Sequence, residues 1–206
     1  MTKEKKILRT ANILSSVFSP FYAPTWAFIV LFTASYLRLL PSPYKTLVLT
    51  VVVVFTIVIP RLGIRLFSVF YKLPFWHLSH REHRHMPYIL TLLSYLTCMF
   101  LMSSYNVPSC MRGIILASLI AQIICMLINV WWKISTHSVA AGGLIGALVA
   151  FSFIFSFNPV WPLCLLILMA GVLGSSRMIL RQHSLSQVMA GYTVGFACGL
   201  VFVLIS

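Results

Sequence analysis

The chain has 206 residues, 60% of them hydrophobic and 8% charged, with fifteen Lys and Arg against two acids. A soluble domain of this length cannot hide so much apolar side chain, and the same composition excludes disorder, so lipid is the expected solvent. The acids, Glu4 and Glu82, are too few for a paired-carboxylate acid/base site or a carboxylate-held magnesium ion.

The opening "MTKEKKILRTANILSSVF" is basic and then apolar, like a secretory signal. Pro20 and Pro24 interrupt the run and no small-x-small cleavage site follows, so it reads as a retained first helix. About twenty apolar residues span the hydrocarbon core. Seven stretches qualify, at roughly 15–38, 45–70, 88–105, 111–131, 138–156, 159–175 and 185–205. Pro41 and Pro43, then "LPFWHLSHREHRHMP", "SSYNVPS" and "FNP", supply breaks between them. Backbone groups in lipid must be satisfied within their own segment, and the apolar runs do not alternate, so helices are predicted rather than a barrel. The prediction is one all-α domain over residues 1–206, a polytopic membrane helix bundle with six to seven transmembrane helices. The count turns on the first segment, where "SPFYAP" leaves a kinked or a re-entrant piece open.

Seven spans sort the loops onto two sides. All the Lys and Arg except Arg38, Lys45 and Arg112, and all six histidines, fall on the side of the N-terminus and the 71–87, 132–137 and 176–184 loops. The positive-inside rule assigns that side to the cytoplasm, and a re-entrant first segment would reverse the assignment of the loops. The net charge of +13 has no soluble basic domain to present to nucleic acid. The expected partners are the lipid bilayer and a phosphorylated membrane lipid.

Three polar clusters therefore meet on one face. In "SHREHRHMP", Arg81 and Arg84 are three apart and share a helix face, where two guanidiniums clamp a phosphate. The ordinary alternative is a basic juxtamembrane stretch among headgroups. His77, His80, His83 and His85 offer imidazoles, but no CxxC, carboxylate or closed-site spacing joins them, so no metal and no other cofactor is expected. In "WWKISTHSVAAGG", Lys133, Ser135 and His137 precede a helix predicted to begin near Ser138, whose N-terminus suits an anion. Ser135 and Thr136 also read as simple N-caps. In "SSRMILRQHSLSQ", His183 and Gln187 are four apart, so the glutamine carbonyl can accept from one imidazole nitrogen and leave the other to act. Asn129, Gln122 and Tyr192 have only a packing reading. The five cysteines, none in a CxxC pair, read as small buried hydrophobes.

These clusters resemble, in order, the three signatures of the type 2 phosphatidic acid phosphatase superfamily, the membrane lipid phosphatases related to vanadium haloperoxidases. The third signature there is Ser-Arg, five residues, His, three residues, Asp; this chain has Ser176, Arg177 and His183, with Gln187 for the aspartate. The second, Pro-Ser-Gly-His, is met by Ser135 and His137 within Ile134 to His137. The first, Lys, six residues, Arg-Pro, retains Pro87, with Met86 and Ser79 at the arginine and lysine positions and Arg81 and Arg84 nearby. The chain is also similar to a divergent bacterial branch in which R-x-x-R-x-x-P, S-x-H and H-x-x-x-Q-V recur. The resemblance covers about residues 81–195. It implies an enzyme of the cell (inner) membrane, a phosphoric ester or diphosphate hydrolase acting on a lipid phosphate without a metal. It implies that His183 forms a phosphohistidine and that His137 protonates the leaving oxygen and then activates water. Arg177, Arg81, Arg84, Ser135, Lys133 and Ser176 would hold the phosphoryl group. The alternatives are a lipid-phosphate binder or carrier without turnover, suggested by the uncharged Gln187, and a structural or transport protein with ordinary interfacial loops.

Overall fold

The computed structural model of the chain describes residues 3–70 and 85–206. Among the described residues every regular element is helical, and seven stretches are long and apolar enough to cross a membrane. The protein is an all-α, multi-pass membrane bundle. Its exterior is the surface lipid requires, with Phe100, Phe153 and Leu168 all about 70% exposed (71%, 69% and 69%). Trp131 and Trp132 are exposed at one end, where tryptophan prefers the bilayer interface.

The first apolar segment, placed at roughly 15–38 with a kink left open at "SPFYAP", lies earlier in the chain and is broken there. It divides into α1 (Lys3–Val17), a 3-10 turn (Pro20–Tyr22) and α2 (Ala23–Ala34). Pro20 and Pro24 cannot donate to the preceding turn, and Ser19 is extended, so the ladder stops and restarts. Ser35 then turns the chain: its hydroxyl donates to the Leu31 carbonyl at 2.6 Å and accepts from the Leu37 N–H at 3.2 Å.

The second span runs unbroken from Ser42 to Phe70. It comprises α3 (Ser42–Val53), one π-helical turn (Val54–Val58) and α4 (Ile59–Phe70). Pro60 explains the wide turn. It has no N–H for the Thr56 carbonyl, and its ring crowds that group in a regular helix. The Ile59 N–H bonds to the Val54 carbonyl instead, which releases the carbonyl of Phe55. Ser94 of α5 (His85–Ser104) donates its hydroxyl to that oxygen at 2.5 Å, so the irregularity also joins two spans.

The remaining spans are α6 (Ser109–Trp131), α7 (Thr136–Phe155), α8 (Val160–Ile179) and α9 (Leu185–Leu204). The α5 helix closes on Asn106 at φ 51°, with Val107 N bonded to Met102 O at 2.9 Å and Asn106 N to Ser103 O at 3.0 Å. That is the Schellman ending, which asparagine tolerates. Phe28 and Leu31 of α2, Val48 and Val52 of α3, Tyr95 of α5, Met111 and Ile115 of α6 and Phe151 of α7 fill the main core.

The closest pair is α7 with α9, which run parallel. Gly191, Gly195 and Gly199 recur every fourth residue on α9 and meet the α7 backbone at 135–139, 139–143 and 143–147, while Gly142 and Gly146 of α7 meet the α9 backbone at Tyr192 and Phe196. A Cβ at Gly195 would fall on the Val139 carbonyl, one at Gly142 on the Tyr192 carbonyl, and one at Gly146 on the Phe196 carbonyl. Small residues at this spacing let two backbones touch, which is how helices attract in lipid, where no hydrophobic effect drives them together. Gly143 differs: its added Cβ would meet only the Gly195 carbonyl, at an ordinary 3.6 Å.

Gly195→Ala is accordingly expected to separate the pair and destabilise the fold by about 1–3 kcal/mol, while Gly143→Ala leaves stability unchanged or slightly raised. Thermal unfolding of both variants in one detergent checks the contrast.

Candidate functional site

The turn between α8 and α9 builds one wall. Arg177 lies in the last turn of α8 and is 8% exposed. The helix ends in a second Schellman motif, with Gln182 N bonded to Arg177 O at 3.1 Å and Arg181 N to Met178 O at 2.9 Å. Arg181 takes the left-handed position, φ 52°, that glycine usually fills. This tight reversal brings His183, also 8% exposed, to the start of α9.

Ser184 caps α9 and forms a capping box with Gln187. Its hydroxyl accepts from the Gln187 N–H at 3.4 Å, and its own N–H donates to Gln187 Oε1 at 3.2 Å. The backbone donor identifies that side-chain atom as the carbonyl oxygen. The same oxygen lies 3.1 Å from His183 Nδ1, so Nδ1–H donates to it. A neutral His183 then carries its lone pair on Nε2. One glutamine thus caps a helix and fixes a tautomer.

The start of α7 builds the facing wall. Ser135 is the N-cap, fully buried, with its hydroxyl accepting from Ser138 N at 3.4 Å and from Ser138 Oγ at 2.8 Å. The Ser135 N–H reaches the Gln187 carbonyl at 3.4 Å, tying this loop to the first turn of α9. Ile134, fully buried, anchors the loop. The helix starts at Thr136, two residues before the expected position, so His137 stands in its first turn.

A residue that sequence spacing did not reveal connects the two walls. Ser15, near the end of α1, is 4% exposed. Arg177 Nη1 donates to its hydroxyl at 2.5 Å, and His137 Nε2–H donates to its carbonyl at 3.2 Å. The contacts close 162 and 122 residues of chain, and no local pattern encodes them.

His137, Arg177 and His183 all line one cavity of about 490 Å³. Thr136 and Gln182 lie at the same end, and Pro20 and Phe21 border it. Arg61 steadies this border: Nη1 donates to Tyr22 Oη at 2.8 Å, and the guanidinium stands 4.6 Å from the Tyr22 ring centroid. Gln122, read from sequence as packing, also lines the cavity, and its buried Oε1 has no hydrogen-bond partner. Tyr192 does pack, donating its hydroxyl to the Ala170 carbonyl.

Other expected phosphate ligands stand elsewhere. Ser176 is buried, and its hydroxyl donates back to the Val172 carbonyl at 2.8 Å; Ser135 serves as the cap, and Lys133 lies in the loop before it. None of the three lines the cavity. Arg81 and Arg84, with His77, His80 and His83, lie outside the described residues. Among the described residues no three His, Cys, Asp or Glu side chains gather as metal ligands.

The electrostatics favour an anion. Among the described residues no acidic side chain lines the cavity, the buried Arg177 guanidinium does, and α7 and α9 both begin beside it. Helix N-termini carry partial positive charge and orphan N–H donors, and two parallel starts reinforce each other.

Gln187→Ala is expected to lower the stability of the α9 start by about 1 kcal/mol through loss of the capping box, whereas Gln187→Glu keeps both acceptor contacts. Thermal unfolding compares them, and the ¹⁵N shifts of His183 report the tautomer. Searches of family models, curated proteins and solved structures return no match to this chain, so its functional reading rests on the residues of this cavity.

Proposed function

We propose that the protein is a membrane lipid-phosphate phosphatase of the type 2 phosphatidic acid phosphatase kind, working without a metal in the cell (inner) membrane. The observation that carries the reading is the convergence on one cavity of His137, from the start of α7, with Arg177 and His183, from the turn between α8 and α9.

The residues suit the steps. Arg177 and the two helix starts bind the phosphoryl oxygens. His183 Nε2 attacks phosphorus while Gln187 holds Nδ1–H, and the new N–P bond replaces the P–O bond to the lipid. The N–H of His137 protonates the departing oxygen. Water then attacks the phosphohistidine, His137 takes its proton, and the N–P bond breaks to release phosphate. Arg81, Arg84 and Lys133 are the further cations assigned to the phosphate by the family pattern.

The two contacts of Ser15 take one Nη1 hydrogen of Arg177 and the Nε2–H of His137, so a phosphate that uses these two donors competes with the end of α1. A second reading, a lipid-phosphate binder without turnover, is favoured by Gln187, whose carbonyl orients the imidazole but supplies no charge to the cation formed in the reaction.

His183→Ala is expected to abolish phosphate release from lipid phosphates in detergent with unfolding unchanged. Arg177→Lys is expected to reduce kcat/KM about a hundredfold, because an ammonium does not reproduce the guanidinium fork. Binding of lipid phosphate with no release from the unaltered protein at any pH selects the binder reading. Ser15→Ala is expected to tighten inhibition by inorganic phosphate about tenfold, the worth of one charge-assisted hydrogen bond. Weaker inhibition would make Ser15 a ligand of the phosphate rather than its competitor.

A further inference from the structure

The cavity continues well beyond the polar cluster. Along α7 it is lined from His137 to Ala147. Ten residues of helix at 1.5 Å each make about 15 Å, which is half of a hydrocarbon core of roughly 30 Å, or one leaflet. Ile114, Ala147 and Val203 line the deep part, and Tyr95, 1% exposed, stands on the α5 side. The polar exceptions are few. Ser118 and Thr91 donate their hydroxyls to carbonyls of their own helices at 2.8 and 2.6 Å, and Gln122 presents a buried oxygen without a hydrogen-bond partner.

Gly143 has no explanation in helix packing. The other glycines of α7 and α9 are forced by backbone contact, but a Cβ at 143 has only one carbonyl within 4 Å, at 3.6 Å. Gly143 lines the cavity, so the room its missing side chain leaves is cavity room. Ala147, one turn deeper and 4% exposed, continues the same small-residue wall. At about 30 Å³ for each water-sized group, the space takes roughly sixteen such groups. That is room for at least one hydrocarbon chain.

We propose that Gly143 and Ala147 keep open a slot that draws a single hydrocarbon chain of the lipid phosphate into the bundle, making them specificity-determining residues that set chain length. The inference rests on the phosphatase reading for its headgroup; its chain site stands on the cavity. A long apolar chain gains from the slot what it would gain in the bilayer, plus close packing on both sides. A chain left in the bilayer contributes orientation alone. Short-chain phosphates fill the polar end and leave the deep part empty.

The test uses the full chain in detergent with two single-chain substrates, octyl phosphate and hexadecyl phosphate. The readout is the ratio of kcat/KM for the long over the short substrate, compared between unaltered protein and Gly143→Leu so that micelle partitioning cancels. The ratio is expected to fall about tenfold in Gly143→Leu and by less in Gly143→Ala. An unchanged ratio overturns the proposal. Occupancy is read separately with a hexadecanol carrying a terminal diazirine, which needs no turnover. Cross-links to peptides holding Ile114, Ala147 or Val203, diminished in Gly143→Leu, support the slot. Cross-links confined to outward-facing residues such as Leu165 and Leu168 overturn it. Deep cross-linking with no turnover of either phosphate sinks the phosphatase reading and leaves the chain slot standing.

Discussion

The backbone contact between α7 and α9 sets the position of everything at the site. His137 stands in the first turn of one helix, and His183 directly precedes the cap of the other. Their separation is therefore decided by how closely and in what register two parallel helices lie. Gly191, Gly195 and Gly199 allow an approach that any side chain would prevent. The hydrogen bond from Ser135 N to the Gln187 carbonyl then locks the two starts together. In lipid, where apolar side chains are equally content facing outward, such close van der Waals contact supplies much of the specificity that a soluble core obtains from hydrophobic burial.

Gln187 shows how helix capping and chemistry share an atom. Glutamine is a good third residue for a capping box, and its carbonyl is also the group that meets His183 Nδ1. The orientation of the imidazole is thus inherited from the helix start. Ser176 behaves in the opposite way: despite standing beside Arg177, its hydroxyl turns back into its own helix, as serine in apolar helices often does.

The spans were legible because lipid imposes a length and forbids unsatisfied backbone, so six of the seven stretches correspond closely to helices. The first is broken where the prolines of "SPFYAP" left a kink open, since each removes a donor, but its bounds were set too late because α1 begins in the basic stretch that a hydropathy run leaves out. The proximity of His183 and Gln187 was readable from a four-residue spacing. The place of Ser15 was not, since its partners are set by how α1 folds back against α8. Gln122 was misjudged because a lone polar residue in an apolar run does not say whether it faces a neighbour or a void. The four-residue glycine spacing stood in the sequence, but its partner helix is a property of the assembled bundle.

The contact between Ser15 and the two walls has a consequence for affinity. An anion that needs the two donors held by Ser15, one Nη1 hydrogen of Arg177 and the Nε2–H of His137, sees only the molecules in which α1 has withdrawn. Observed binding is then the intrinsic affinity multiplied by that open fraction; if about one molecule in a hundred is open, binding is weakened about a hundredfold. The open fraction belongs to α1, a helix that buries little beyond Ala11 and Ser15 and carries exposed Lys5, Lys6 and Arg9 on the rest of its surface. Anionic lipid attracts those cations. The composition of the surrounding bilayer thereby bears on how often α1 releases Arg177 and His137.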